Sequence, residues 1–360
     1  MTKQELLNIK LPEYREDVRT EAKREWDSIA KPLDGLGDFE AMVCDIAAMQ
    51  GFVCPNVENR VLLVYCADNG VVKEGVSQST QEITAQVATS LGRGVSSASI
   101  LAESVKVKVI PVDIGINSDD EIFGVLNRKV AKGTKSFIEA PAMNEEETIQ
   151  AISTGIELVK ELANERTGLI ATGEMGIGNT TTATAVLCAL LCLDSDTVTG
   201  RGAGLDDLGL NRKRMVIREG IARYQKQFDL TSTEAERAFE ILRCLGGLDI
   251  AAMCGTFIGG ALYGIPIVID GVISSCAAIL AEKLLPGCSR YMLASHAGRE
   301  SGNNIALEAL GKKPYINGNM ALGEGTGALM LIPLIDSALH FYKEGTRFSA
   351  CGIDNYERFN

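Results

Sequence analysis

Leu169-Ile-Ala-Thr-Gly-Glu-Met-Gly-Ile-Gly-Asn-Thr-Thr-Thr182 runs directly into the Ala- and Leu-rich stretch Ala183 to Leu191. The apolar start, Leu169 to Thr172, reads as a buried strand, and Thr181 to Leu191 reads as a helix. A strand, a glycine-rich turn and a helix in succession form the repeating unit of a parallel α/β sheet. Working outward, the same texture recurs. Val61 to Ala67 (VLLVYCA), Val105 to Ile114, Ile265 to Ile269 and Tyr291 to Ala294 are further short apolar, β-rich runs. Helical stretches lie between them, among them Thr84 to Glu103, Glu145 to Leu162 and Gly209 to Phe228. The alternation predicts an α/β fold, a parallel sheet flanked by helices, with ligands bound beyond the C-terminal ends of the strands.

Both chain ends read differently. Tyr14, Val18, Ala22, Trp26 and Ile29 recur at helical spacing within a charged stretch that begins at Pro12, a residue suited to the first position of a helix. Lys31-Pro-Leu-Asp-Gly-Leu-Gly37 ends that helix, and a second is expected from Phe39 to about Met49. A last helix, from about Thr326 to Tyr342, is placed to pack with these two.

The composition narrows the chemistry. The 360 residues are 46% hydrophobic and 23% charged, ordinary for a globular chain with a sizeable core. The net charge is −12, and no Lys/Arg-rich run offers a footprint for nucleic acid. Ten cysteines without a CxxC pair and only two histidines, His296 and His340, predict no metal cluster. The cysteines read as small core residues in a reducing cytoplasm. The polar start excludes a signal peptide, and no uninterrupted apolar run predicts a membrane span.

Three glycine-rich segments carry the candidate chemistry. In Thr172 to Thr182, Gly176 and Gly178 let a backbone approach an anion, while Asn179 and Thr180 to Thr182 can cap the following helix or donate hydroxyls. The lysine of a Walker loop is missing. A phosphate turn and a plain capping turn both fit. In Thr199-Gly-Arg-Gly-Ala-Gly-Leu-Asp-Asp207, alternating glycines such as Gly202 and Gly204 suit an anion-binding concavity or a flexible connection. Arg212, Lys213 and Arg214 follow, as a solvated helix face or with one member reaching a site. In Leu322-Gly-Glu-Gly-Thr-Gly-Ala328, Glu324 between two glycines can favour a helix dipole or face a ligand. His296 reads as a hydrogen-bonded structural residue or a site residue.

Together these segments resemble the nicotinate-nucleotide:dimethylbenzimidazole phosphoribosyltransferase family. The resemblance runs in order from Lys31–Gly37 through Ala67-Asp-Asn-Gly-Val-Val-Lys-Glu-Gly-Val-Ser77, Gly173–Thr182 and Gly200–Asp207. It continues through Gly246-Gly-Leu-Asp-Ile-Ala-Ala252, Asp270-Gly-Val-Ile-Ser-Ser275, Ser295-His296 with Glu300 and Gly302, and Gly323–Gly327. It implies a Rossmann-like large domain over 51–319 and a small helical domain from 1–50 plus 320–360. The implied substrates are nicotinate mononucleotide and an aromatic base, with no cofactor, and the implied assembly is a dimer. It makes Glu324 the general base. It places Glu174, Gly176, Gly178, Asn179, Thr180, Gly202, Gly204 and Lys213 around the nucleotide, and Ser79, Thr80, Val87 and Met175 around the base.

Three residues depart from the family's usual pattern: Asn69 for His, Thr80 for Pro and Val87 for Gln. An apolar Val87 suits a phenolic acceptor such as p-cresol, the activity of relatives that work as pairs of unlike subunits. Dimethylbenzimidazole, a phenol, and a mainly structural partner-subunit role are the three readings the sequence leaves.

Overall fold

The structure is a computed structural model that describes residues 1–358. The expected strand Val61–Ala67 becomes β1 (Arg60–Ala67), with seven of its eight residues buried, as a parallel strand covered on both faces requires. The strands that follow are β2 (Lys108–Gly115), β3 (Leu126–Asn127), β4 (Leu169–Met175), β5 (Ile267–Ile269), β6 (Met292–Ala294), β7 (His296–Gly298) and β8 (Ile316–Met320). The first six form one parallel sheet in the order β3-β2-β1-β4-β5-β6. That is the doubly wound order, in which the chain leaves β1 in both directions. β7 and β8 make a separate parallel pair.

In chain order the helices are α1 (Lys3–Leu7), α2 (Glu16–Ser28), α3 (Asp38–Gln50), α4 (Glu82–Gly92), α5 (Ser97–Ser104), α6 (Glu145–Asn164), α7 (Asn179–Leu191) and α8 (Ser195–Val198). They continue with α9 (Asp207–Asp229), α10 (Glu234–Leu245), α11 (Leu248–Tyr263), α12 (Val272–Leu284), α13 (Ser301–Ala309), α14 (Thr326–Glu344) and α15 (Phe348–Cys351). Among the described residues no helix is long and apolar enough to cross a membrane.

Several boundaries differ from expectation, each for a physical reason. The helix expected from Pro12 starts at Glu16, where Glu16 and Asp17 favour the positive end of the helix dipole. The stretch Thr84–Glu103 is two helices. Gly92 lies so close to the Phe123 carbonyl that a Cβ would overlap it, Gly94 turns at φ +72°, and Ser96 caps α5 through Ser99 N–H at 3.1 Å. β4 runs past Thr172 to Met175 because it stays paired with β1 through Cys66↔Met175. β3 and β7–β8 carry no apolar alternation, and the sequence reading passes over them. Three cysteines read as core residues, Cys54, Cys192 and Cys351, are exposed.

The terminal helices meet. The buried Trp26 of α2 lies 5.0 Å from Tyr342 and 6.0 Å from Phe341 of α14, ring centre to ring centre. Ala30 N–H donates to Thr346 O at 2.8 Å. α1 lies elsewhere, with Lys3 Nζ 2.8 Å from Glu240 Oε1 of α10.

Below the sheet, α6 and α11 approach backbone to backbone. A Cβ on Gly155 would overlap the Ala252 carbonyl oxygen, and one on Gly255 would overlap that of Ile152. Gly155→Val is therefore expected to lose roughly 1–3 kcal/mol or more of stability through overpacking. Chemical denaturation measures it, and an unchanged midpoint would contradict the packing.

Candidate active site

The strand order reverses between β1 and β4, and a cavity of about 760 Å³ opens beyond the C-terminal ends of the strands. Its wall comes from Val76–Gln78 after β1, Glu174–Thr180 at the end of β4 and Gly200–Leu205 before α9. Asp270–Ser274 after β5, His296, Gly298–Ser301, Asn303, Met320–Gly323, Thr326 and Gly327 complete it. The two glycine-rich turns, Glu174–Thr180 and Gly200–Leu205, thus face one space.

One end of this region is built for an anion. Gly178 takes φ +94° as the N-cap of α7, so the helix starts directly on the turn, where its dipole favours negative charge. The buried Lys213 of α9 donates from Nζ to Thr180 Oγ1 at 2.8 Å. Gly202 lies against both: a Cβ there would stand 2.9 Å from Thr180 Oγ1 and 3.4 Å from Lys213 Nζ. Among the described residues no carboxylate pairs with this ammonium. Burial pushes the Lys213 pKa down to about 8, and Glu300 opposes that only partly. Of the basic trio, Lys213 alone is fully buried: Arg212 is exposed, and Arg214 is half-buried with Nη2 on Asp196 O at 3.1 Å. Gly204, at φ +110°, is fixed by Gln78, whose amide donates to its carbonyl.

The other end is acidic. Glu174 closes β4, and its pKa is pushed up to about 8 by burial. Asp249, Asp270 and Glu324 add to the rise, and a hydrogen bond from Asn179 opposes it. Burial likewise pushes Asp249 up to about 6. Asn179 stands between the two acids. Its Nδ2 donates to Glu174 Oε2 and, at 3.0 Å, to Asp249 Oδ2. This corrects the expected capping role: α7 has no side-chain cap, and Asn179 is a bridge between carboxyl groups. Thr182 donates back to Asn179 O at 3.0 Å, and the buried Thr181 hydroxyl has no partner among the described residues. Thr180 is therefore the member of the threonine run that meets Lys213.

Glu324 sits in a turn of three successive positive φ angles, +91° at Gly323, +57° at Glu324 and +84° at Gly325. A left-handed conformation is uncommon for a side-chain-bearing residue and costs energy. The Glu324 backbone carbonyl lies over Gly173, where a Cβ would stand only 2.7 Å away. Its Oε2 accepts Ala98 N–H at 3.2 Å, at the start of α5. Gly323 lines the cavity, but Glu324 itself does not, and neither does Lys213.

The acceptor residues divide. Met175 lines the cavity, while Ser79, Thr80 and Val87 lie outside its wall. Thr80 is exposed, and Val87 packs against the apolar core. His296 is buried, shares a 2.9 Å hydrogen bond with Ser295 Oγ and lines the cavity. Sequence reasoning passed over Asp249, Asp270 and Glu300 as individual site residues. Glu300 Oε1 accepts Gly202 N–H at 3.3 Å, and the available signal was a lone acid after each strand or turn.

Comparison with known proteins adds the family. A family model described as phosphoribosyltransferase matches residues 11–353. The nicotinate-nucleotide–dimethylbenzimidazole phosphoribosyltransferase of Ruminiclostridium cellulolyticum is 38% identical over 357 residues, covering 99% of both chains. The protein of the same name from Acetivibrio thermocellus is 38% identical over 335 residues, covering 93% of each. A crystal structure of CobT from Thermus thermophilus superposes with a TM-score of 0.87 at 35% identity, covering 94% of this chain and all of that one. With its sheet order, its paired glycine-rich turns and these matches across nearly its whole length, the chain belongs to the phosphoribosyltransferase family.

Proposed function

We propose that the chain transfers the 5-phosphoribosyl group of nicotinate mononucleotide to 5,6-dimethylbenzimidazole, giving the α-riboside 5′-phosphate and nicotinate. The observation that carries the reading is the buried Lys213 ammonium, set on Thr180 and the Gly202 backbone without a carboxylate partner among the described residues. A buried cation of this kind is costly until an anion joins it. The nucleotide phosphate is that anion, and the start of α7 with Gly176, Gly178 and Gly204 completes its surroundings.

The chemistry suits the groups present. As the glycosidic bond breaks, nicotinate takes the bonding pair and its ring nitrogen becomes neutral, so it leaves without a proton. The benzimidazole nitrogen lone pair attacks the ribose carbon from the opposite face, which inverts the β-nucleotide to an α-riboside. The second ring nitrogen then gives up its proton. Glu324 is the base in this reading. Its Oε2 is occupied by Ala98 N–H, and Oε1 has no donor among the described residues. The acceptor ring lies between Met175 and Gly323, both in the cavity wall and the latter next to Glu324. Holding both reactants in line supplies much of the remaining rate. Glu174, a carboxylic acid at neutral pH, serves as a hydrogen-bond donor toward the ribose.

The phenolic alternative finds no support. It needs an apolar wall at Val87, which lies outside the cavity lining, and the relatives' names carry dimethylbenzimidazole. We also read the chain as a homodimer and as cytoplasmic. Val95, Ile100 and Phe123 are each more than 60% exposed, and Met330 of α14 is 44% exposed. These apolar side chains sit on neighbouring elements, since α5 packs on α14 and Gly92 touches the Phe123 backbone. Light scattering on the purified chain should give twice the monomer mass, and Ile100→Asp with Phe123→Asp should halve it. A monomeric wild type would remove this face as an interface.

Glu324→Gln is expected to fold normally and lose ~10²–10⁴-fold in turnover with dimethylbenzimidazole, the usual worth of a general base. Near-wild-type turnover would rule out its role. Lys213 generates a pH dependence. It loses its charge as pH rises through about 8 in the free enzyme, and a bound phosphate shifts that loss upward. The nucleotide KM should therefore rise between pH 7 and 9.5. Lys213→Met should raise it by roughly 10–100-fold at pH 7, the worth of a hydrogen bond to a charged group, and flatten the alkaline rise. Calorimetry showing unchanged nucleotide affinity in this variant would count against the phosphate reading.

A further inference from the structure

The turn that carries Glu324 is not self-supporting. Gly325, the N-cap of α14, has no side chain to accept the helix's first N–H groups. Asp270, from the turn after β5, meets the N–H of the cap residue and one N–H of the first helical turn. Asp270 Oδ2 accepts Gly325 N–H at 3.2 Å, and Oδ1 accepts Ala328 N–H at 3.0 Å. Asp270 is itself fixed from behind. Its N–H donates to Ser274 Oγ at 3.1 Å, and Ser295 Oγ donates to its carbonyl at 3.3 Å. Ser274 in turn shares a 2.6 Å hydrogen bond with Thr172 of β4. On the other side the His296 ring fills the space over Gly327, where a Cβ would overlap the ring and stand 2.8 Å from Asp270 Oδ1. Glycine at 327 thus lets the imidazole and the carboxylate reach the helix start together.

From this geometry we infer that Asp270 is a positioning residue, which holds the strained turn Gly323–Gly325 against β4 and β5 and so sets where the Glu324 carboxylate stands. The inference rests on the proposed role of Glu324 as the base. A carboxylate suits the task because it offers two acceptors to two N–H groups of one helix start, and its charge lies at the positive end of the α14 dipole. An amide at the same place offers one acceptor and turns a donor toward a donor.

A double-mutant cycle on the full-length protein tests it. Asp270→Asn should lower kcat by ~10–100-fold, the effect of a small misplacement of a reacting group. The nucleotide KM and the calorimetric Kd should stay unchanged. In a Glu324→Gln background the same substitution should change kcat by no more than about twofold, because a residue acting through Glu324 has nothing left to position. Equal losses in both backgrounds, or a raised nucleotide KM with kcat preserved, would overturn the inference, the second by showing that Asp270 meets the nucleotide directly. Wild-type turnover of Asp270→Asn beside an inactive Glu324→Gln would remove this inference alone. Wild-type turnover of Glu324→Gln by itself would remove the reading beneath it as well. If Asp270→Asn does not fold, Asp270→Glu, which keeps a carboxylate but moves its two acceptors by one methylene, takes its place, and the same kcat and KM criteria apply.

Discussion

β1 and β4 run parallel from Arg60↔Leu169 to Cys66↔Met175, and at this pair the strand order reverses. Chains that leave neighbouring parallel strands toward opposite sides cannot close over the gap between them, so a crevice forms there. The length of the pairing matters as much as its place. Because the ladder continues to Met175, Glu174 is held by strand geometry, and the glycine-rich turn begins only after it. The position of α7, and with it Asn179 and Thr180, follows from where β4 stops.

Two opposite electrostatic problems meet at the crevice wall and just behind it. Lys213 is an ammonium that burial destabilises, and Glu174 and Asp249 are carboxyls that burial keeps protonated to unusually high pH. Neither solves the other, since Lys213 meets Thr180 and the acids meet Asn179. Adjacent residues at one helix start keep the two apart. A dianionic phosphate at the lysine and neutral hydroxyls at the acids would satisfy both, which is how a phosphoribosyl group is composed.

The turn at Glu324 uses a different device. Three successive left-handed residues place a carboxylate at the rim of the sheet, and the conformational cost is held by hydrogen bonds from outside the turn. Glycines at 323 and 325 take those angles without penalty, and Gly173 and Gly327 supply room for the close approach of backbone and ring. The glycine pattern of this segment is thus explained by conformation and by packing at separate positions.

Periodicity by itself determined the fold class, because buried parallel strands are continuous apolar runs and the helices between them carry a different period. It also placed the first glycine-rich segment at a strand end, and the resemblance of all three to one family picked out Glu174, Gly178, Thr180 and Lys213. What it could not reach depends on distance in space. That Lys213 alone of three consecutive basic residues is fully buried was decided by the packing of α9. That Asn179 bridges two carboxyls, when its residue type and place favour a cap, was decided by Asp249 arriving from α11. That Val87 of α4 stays out of the cavity wall was likewise decided by how the elements pack. Asp270 could not be matched to Gly325 and Ala328 from the chain order, because 55 and 58 residues separate partners that only the completed sheet brings within hydrogen-bond reach. Local pattern dictates which elements form. The contacts that shift pKa values and hold strained turns are made between elements, and only the tertiary structure decides them.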